Sequence, residues 1–143
     1  MALDDAIREI LAIVGDVQGV RAAPEYATDK LPPGIFAMAL PSSGVFRQAP
    51  TGVLQGLHSV ELYVYCPRID LAKTLKTLLP MGELVAAELE KNVTLNSTCQ
   101  TFGDIEYTFS ANINLGSETQ PDYYSGWTFT VTGIKIEDTS ILA

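Results

Sequence analysis

Residues 126–138 read GWTFTVTGIKIED. From Trp127 to Val131 large apolar residues alternate with threonine, the period of a half-buried strand. At Gly133 the phase changes. A strand running straight through would place Lys135 beside Trp127, Phe129 and Val131 and leave Ile134 and Ile136 outside. That arrangement buries a charge and forfeits about 1.5–3 kcal/mol for each isoleucine. One extra residue removes both faults, and glycine accepts the positive φ that one common bulge type requires. The stretch therefore predicts a β-bulge or sharp bend at Thr132–Gly133, with Trp127, Phe129, Val131, Ile134 and Ile136 facing one core. The same bend is expected to turn a short C-terminal tail, residues 137–143, away from the sheet.

The remainder of the chain supplies partners for this strand. LHSVELYVYC (57–66) alternates in the same way, with Val60, Leu62, Val64 and Cys66 on one side. Ser59, Glu61, Tyr63 and Tyr65 lie on the other, and the tyrosines there meet either another subunit or a helix of the same chain. STCQTFG and DIEYTFSANINLG read as two further strands around Phe102–Asp104, and IFAMAL (35–40) as an apolar one. PSSG then makes a turn, and a second short strand follows in GVFRQAPTG. Residues 116–126, GSETQPDYYSG, read as a long hairpin loop carrying Tyr123 and Tyr124.

Three helical pieces accompany these strands. Leu3, Ile7, Ile10, Leu11 and Val14 recur at helical spacing, with Asp4 and Asp5 in the first turn and Gly15 as a stop. A short extended piece is expected near Val20–Ala22, ahead of Pro24. Asp70 caps a helix with Leu71, Leu75, Leu78 and Leu79 on one side, Pro80 breaks it, and a second piece buries Leu84, Val85 and Leu89. The expectation is a single α+β domain over residues 1–143, an antiparallel-rich or mixed sheet with two or three helices packed on one face.

Composition narrows the functions. The 143 residues carry nine basic and seventeen acidic side chains, a net charge of −8. Such a chain lacks the Lys/Arg stripe that displaces counterions from nucleic acid, and anionic membranes do not attract it. Six acids and one base fall in residues 100–143, a local net of −5. The N-terminus has acids where a secretion signal has bases, and no run approaches the ~20 apolar residues of a membrane span. Cys66 and Cys99 are expected reduced and form no CxxC pair, so no zinc site is expected.

Catalytic chemistry has little material. His58 is the single histidine, and Ser59 beside it points to the opposite face. Asp104 and Glu106 share strand parity and could hold a cation or move a proton, but same-face acids on a strand are ordinarily just solvated. No phosphate-binding glycine motif occurs. No enzyme activity, cofactor or metal is expected.

The order of segments carries a resemblance. An amphipathic helix leads into GVRAAP (19–24), then a proline-bounded apolar strand ending in PSSG, then GLHSVEL (56–62). A capped helix follows to LPMG (79–82), then DIEYTF (104–109) and the closing GWTF. This order resembles the tail terminator or tail completion proteins at the head–tail junction of long-tailed bacteriophages. The resemblance spans nearly the whole chain but brings no catalytic residues with it. It implies a structural virion protein that forms a hexameric ring on the tail tube, joins it to the neck or head-completion protein, and lets DNA pass without specific binding. Candidate subunit-interface residues are Tyr63, Tyr65, Tyr123, Tyr124, Ile141 and Leu142. Candidate lumen-facing acids are Asp104, Glu106, Glu118 and Asp122. The alternative is a soluble, non-catalytic binding or accessory domain with a pocket between sheet and helices; a small carboxylate-dependent hydrolase is a third class.

Overall fold

The computed structural model describes residues 3–25, 31, 33–48, 54–68 and 70–138. In chain order the elements are α1 (Leu3–Gly15), β1 (Phe36–Gln48), β2 (Leu54–Pro67), α2 (Leu71–Leu78), α3 (Met81–Glu90), β3 (Ile105–Asn114) and β4 (Tyr123–Asp138). The strands form one antiparallel sheet in the order β1-β2-β4-β3. The last strand thus inserts between β2 and β3, leaving β1 and β3 as the two edges. The expected α+β architecture is present.

One face of the sheet meets the helices. Ala37, Ala39, Val60, Leu62, Val64, Phe129 and Val131 are buried there against Ala6, Ile10, Leu11 and Val14 of α1 and against Leu78, Met81, Val85 and Leu89. The expected bulge is present. His58 pairs with Ile134 and Val60 with Val131, so two steps on β2 face three on β4, and Gly133 takes φ 66°. Ile134 and Ile136 accordingly join the core while Lys135 is exposed. The strand does not leave the sheet at Glu137, however. Glu137 and Asp138 still pair with Gln55 and Leu54, and residues 139–143 lie outside the described residues.

Four local expectations change. PSSG is no turn: β1 runs on to Gln48, absorbing Ser42 as a bulge between Pro41 and Ser43, with Ser42 Oγ donating to Ser59 O at 3.1 Å. Proline is tolerated because β1 is an edge, where a missing N–H costs no ladder bond. Residues 97–103 are no strand. Leu95, Asn96 and Ser97 all take positive φ (47°, 53° and 67°), and Cys99 N donates back to Thr94 O at 3.1 Å. Asn visits this left-handed region more readily than most residues, while the buried Leu95 anchors the turn. The loop between β3 and β4 is shorter than expected, residues 115–122. The Asn114 carboxamide oxygen closes it by accepting from the N–H groups of Gly116 and Asp122 at 2.9 and 3.1 Å. Tyr123 and Tyr124 are consequently strand residues. Finally, α1 includes Gly15 as its last residue, and the left-handed glycine comes later, at Gly19 (φ 101°).

The helices keep their places but not every face. Asp70 caps α2 as expected, accepting from Lys73 N. The stripe that α2 buries is Thr74 and Leu78; Leu71 and Leu79 are exposed. On α3, Met81, Val85 and Leu89 point inward at i, i+4 and i+8, and Leu84 is exposed. Arg21 and Ala22 form the short extended piece, bridging Phe36 in parallel.

Candidate functional site

The helix-free face of the sheet holds Tyr63, Tyr65, Tyr124 and Glu106 of the residues singled out in the sequence. Cross-strand rows define it: Phe36–Tyr65–Gly126–Ser110, Met38–Tyr63–Thr128–Thr108 and Leu40–Glu61–Thr130–Glu106. Aromatic contacts knit the β1–β2 half. The rings of Phe36 and Tyr65 lie 6.2 Å apart, Phe36 and Tyr124 5.9 Å, and Tyr63 and Tyr65 5.6 Å. Phe36, Met38, Tyr65 and Tyr124 form a second buried cluster with no helix in it. Among the described residues, Tyr63 and Tyr65 therefore lie under no helix. A shallow groove of about 300 Å³ crosses this half, lined by Leu31, Met38, Leu40 and Leu115 beside the aromatics.

Each of the three tyrosine hydroxyls on this face has a polar partner. Tyr65 meets Thr128 Oγ1 at 2.8 Å, Tyr63 donates to Glu61, and Tyr124 donates to Asp122 at 3.3 Å. Burial, the hydrogen bond to Glu61 and its negative charge push the Tyr63 hydroxyl up to about 12. Tyr63 and Tyr124 stay protonated and act as donors, not as bases. Tyr123 is 44% exposed, pointing away from this cluster. Ile141 and Leu142 lie outside the described residues.

The four acids do not form one group. Glu106 stands on the helix-free face, in one row with Glu61. Asp104 precedes β3, and its carbonyl accepts from Thr132 N and Oγ1. Glu118 and Asp122 belong to the β3–β4 turn and are exposed. Among the described residues no three His, Cys, Asp or Glu side chains gather closely enough to hold a metal ion. Cys66 and Cys99 are both free, and burial pushes each thiol up.

His58 packs on the helix side of the sheet. Its imidazole covers Gly44 and Gly56, where any Cβ would overlap the ring, and it meets Phe46 edge-on at 4.9 Å. Burial lowers its pKa. The unfolded chain therefore takes up this proton first as pH falls, so stability is held above the ordinary histidine value of about 6.5 and lost below it. Urea midpoints should fall between pH 7.5 and 5.5, and His58→Gln should flatten that window, since no other histidine is present. An unchanged slope in the variant would place the titration elsewhere.

Two concavities border the helices. The larger, about 650 Å³, lies between α1 and Ser97–Thr98 and is crossed by Arg8, which bonds Asp5 and Glu25. The second, about 330 Å³, runs between α3 and the β3 edge, with Trp127 as its floor and Tyr107 and Leu79 at its rim.

The residues that sequence reading missed are those of the edges and of β1. Phe36 and Met38 were hidden in the continuous run IFAMAL. The small Ala37 and Ala39 at alternate positions were the available signal that this strand has two unlike faces. Phe46 and Tyr107, 67% and 65% exposed, are the most exposed large apolar side chains described. No helix among the described residues is long and apolar enough to cross a membrane. Comparison of the chain with models of protein families and with curated proteins finds no match.

Proposed function

We propose that this chain is a ring-forming structural subunit of the phage tail terminator or tail completion type. In this reading it sits at the head–tail junction of the virion, between the tail tube and the neck. The observation that carries it is the pair of outer strands, β1 (open beyond its bridge to Ala22) and β3, on a sheet whose helices, among the described residues, lie along one face. Exposed strand edges present unpaired N–H and C=O groups and are ordinarily blunted or covered in a protein that works alone. Two different edges on one subunit suit the heterologous contacts from which closed rings are built, a hexamer in the family that the chain resembles. The net charge of −8 suits a wall past which DNA moves without sticking, and Glu61 and Glu106 on the helix-free face would contribute there.

Light scattering after size exclusion, with electron microscopy of the same fractions, tests the proposal. Annular particles that bind the ends of purified tail tubes are expected. A monomer at high concentration that leaves tube ends bare would overturn it. The groove over Trp127 favours a second reading, a monomeric non-catalytic binding domain with its ligand between helices and sheet; that monomer is the result it expects.

A further inference from the structure

We propose that the distal half of β1 in one subunit pairs antiparallel with β3 of the next, with Arg47 opposite Glu106 and Phe46 opposite Tyr107. The inference rests on the ring reading above and adds to it the junction and its register.

The direction follows from the strand order. Four antiparallel strands leave β1 and β3 running in opposite senses. Placing β3 of one copy beside β1 of the next continues the alternation without a break. Arg21 and Ala22 already occupy the start of β1, where Ala37 N donates to Ala22 O at 2.8 Å. Pro41 and the Ser42 bulge then interrupt the edge, so the stretch open to a partner is Ser43–Gln48.

Charge selects the register. Arg47 is the one charged residue of β1, and Glu106 is the one charged residue of β3. Both are exposed, and neither enters a salt bridge among the described residues. Setting them opposite each other places Phe46 against Tyr107. Faces agree as well. Phe46 pairs with Gly56, and Gly56 with Ile136, on the helix side, where Tyr107 also lies opposite Phe129. Backbone directions agree too. Ala37 turns its N–H away from β2, as helix-side residues of β1 do, and the bulge shifts face and bonding direction together. On β3 the Asp104 carbonyl points to β4, so Tyr107, of opposite parity, points outward. An opposite-charge pair and an aromatic pair are the cross-strand combinations that stabilise a sheet.

The stagger is one that closes. Within one subunit Tyr107 lies level with Ala39, through Phe129 and Leu62. At the proposed junction it lies level with Phe46, about six ladder positions further once the bulge is allowed for, or ~20 Å. Four strands at ~4.8 Å make a subunit ~19 Å wide. Repeating that shift tilts the strands by about 45°, the upper end of the range of closed barrels. The helices would lie outside and the helix-free face would line the bore.

The test is the double variant Arg47→Cys with Glu106→Cys, both on exposed side chains, oxidised mildly and run without reductant. A ladder of covalent multimers ending at the ring size is expected, absent from either single variant. Annular particles without a ladder would overturn the register and leave the ring reading standing. Monomers of the wild-type chain by light scattering would overturn both. Reversing one charge, Arg47→Glu or Glu106→Arg, should raise the concentration needed for assembly about tenfold, and combining the two should restore it. Reversals without effect would overturn the pairing.

Discussion

Phe129→Ala is expected to destabilise the domain by about 3–5 kcal/mol, lowering Tm by on the order of 10 °C. Phe129 is 2% exposed on the central strand β4, stacked on Trp127 at 5.7 Å and level with the fully buried Leu62. Strands on both sides fix its backbone, so the surroundings cannot collapse into the space its ring vacates. Native stabilities are only about 5–15 kcal/mol in total, so this change would consume a large share. Leu84→Ala is the control. Leu84 is 49% exposed on α3, and its loss should change stability by about 0.5 kcal/mol or less. Chemical denaturation of both variants decides the matter; equal effects would mean that the helix–sheet core is not centred on Phe129.

Gly82→Val should cost about 2–4 kcal/mol and leave a spectroscopic mark. In α3 Gly82 lies flat against the indole of Trp127, with a Cβ at that position 2.6 Å from Cη2 and Cζ2. The same indole donates from Nε1 to Leu78 O at 2.8 Å. That carbonyl ends α2 and has no partner within its own helix. A branched side chain at 82 must push α3 off the sheet or rotate the indole out of this bond, leaving both polar groups unmatched. Trp127 is the single tryptophan, so its emission reports the site without ambiguity. A red shift together with the loss of stability is expected; native emission would show that the indole has not moved.

Strand β4 was legible because its constraint is local. Lys135 and the two isoleucines around it cannot share one regular strand with Trp127 and Phe129, whatever packs above them. Strand β2 was legible for a similar reason, its apolar and polar sides being cleanly separated. The face of α2 was not. Three leucines in an eight-residue helix, with Leu79 just after it, leave its rotation open, and the choice of Thr74 with Leu78 depends on where α3 and β4 lie. PSSG misled because its turn chemistry is genuine, yet pairing along β2 outweighs it, and the edge position of β1 removes the penalty for Pro41. The tyrosines of the helix-free face could be picked out from alternation. The edges could not, because no residue of β1 or β3 announces that β4 will enter between β2 and β3. That insertion alone makes outer strands of both and exposes Phe46, Arg47, Glu106 and Tyr107.

The bulge at Gly133 also bears on how this gene can vary in length. With Gly133 removed, Thr132 is followed by Ile134, and Val131, Thr132, Ile134, Lys135 and Ile136 alternate regularly opposite Val60, Ser59, His58, Leu57 and Gly56. A one-codon deletion there leaves each of these side chains on its present face. The same deletion at Thr130 would set Trp127 and Phe129 on one side of the sheet and Ile134 and Ile136 on the other. In the strand that holds the fold together, Gly133 is thus a place where descent can shorten the chain without turning the core inside out.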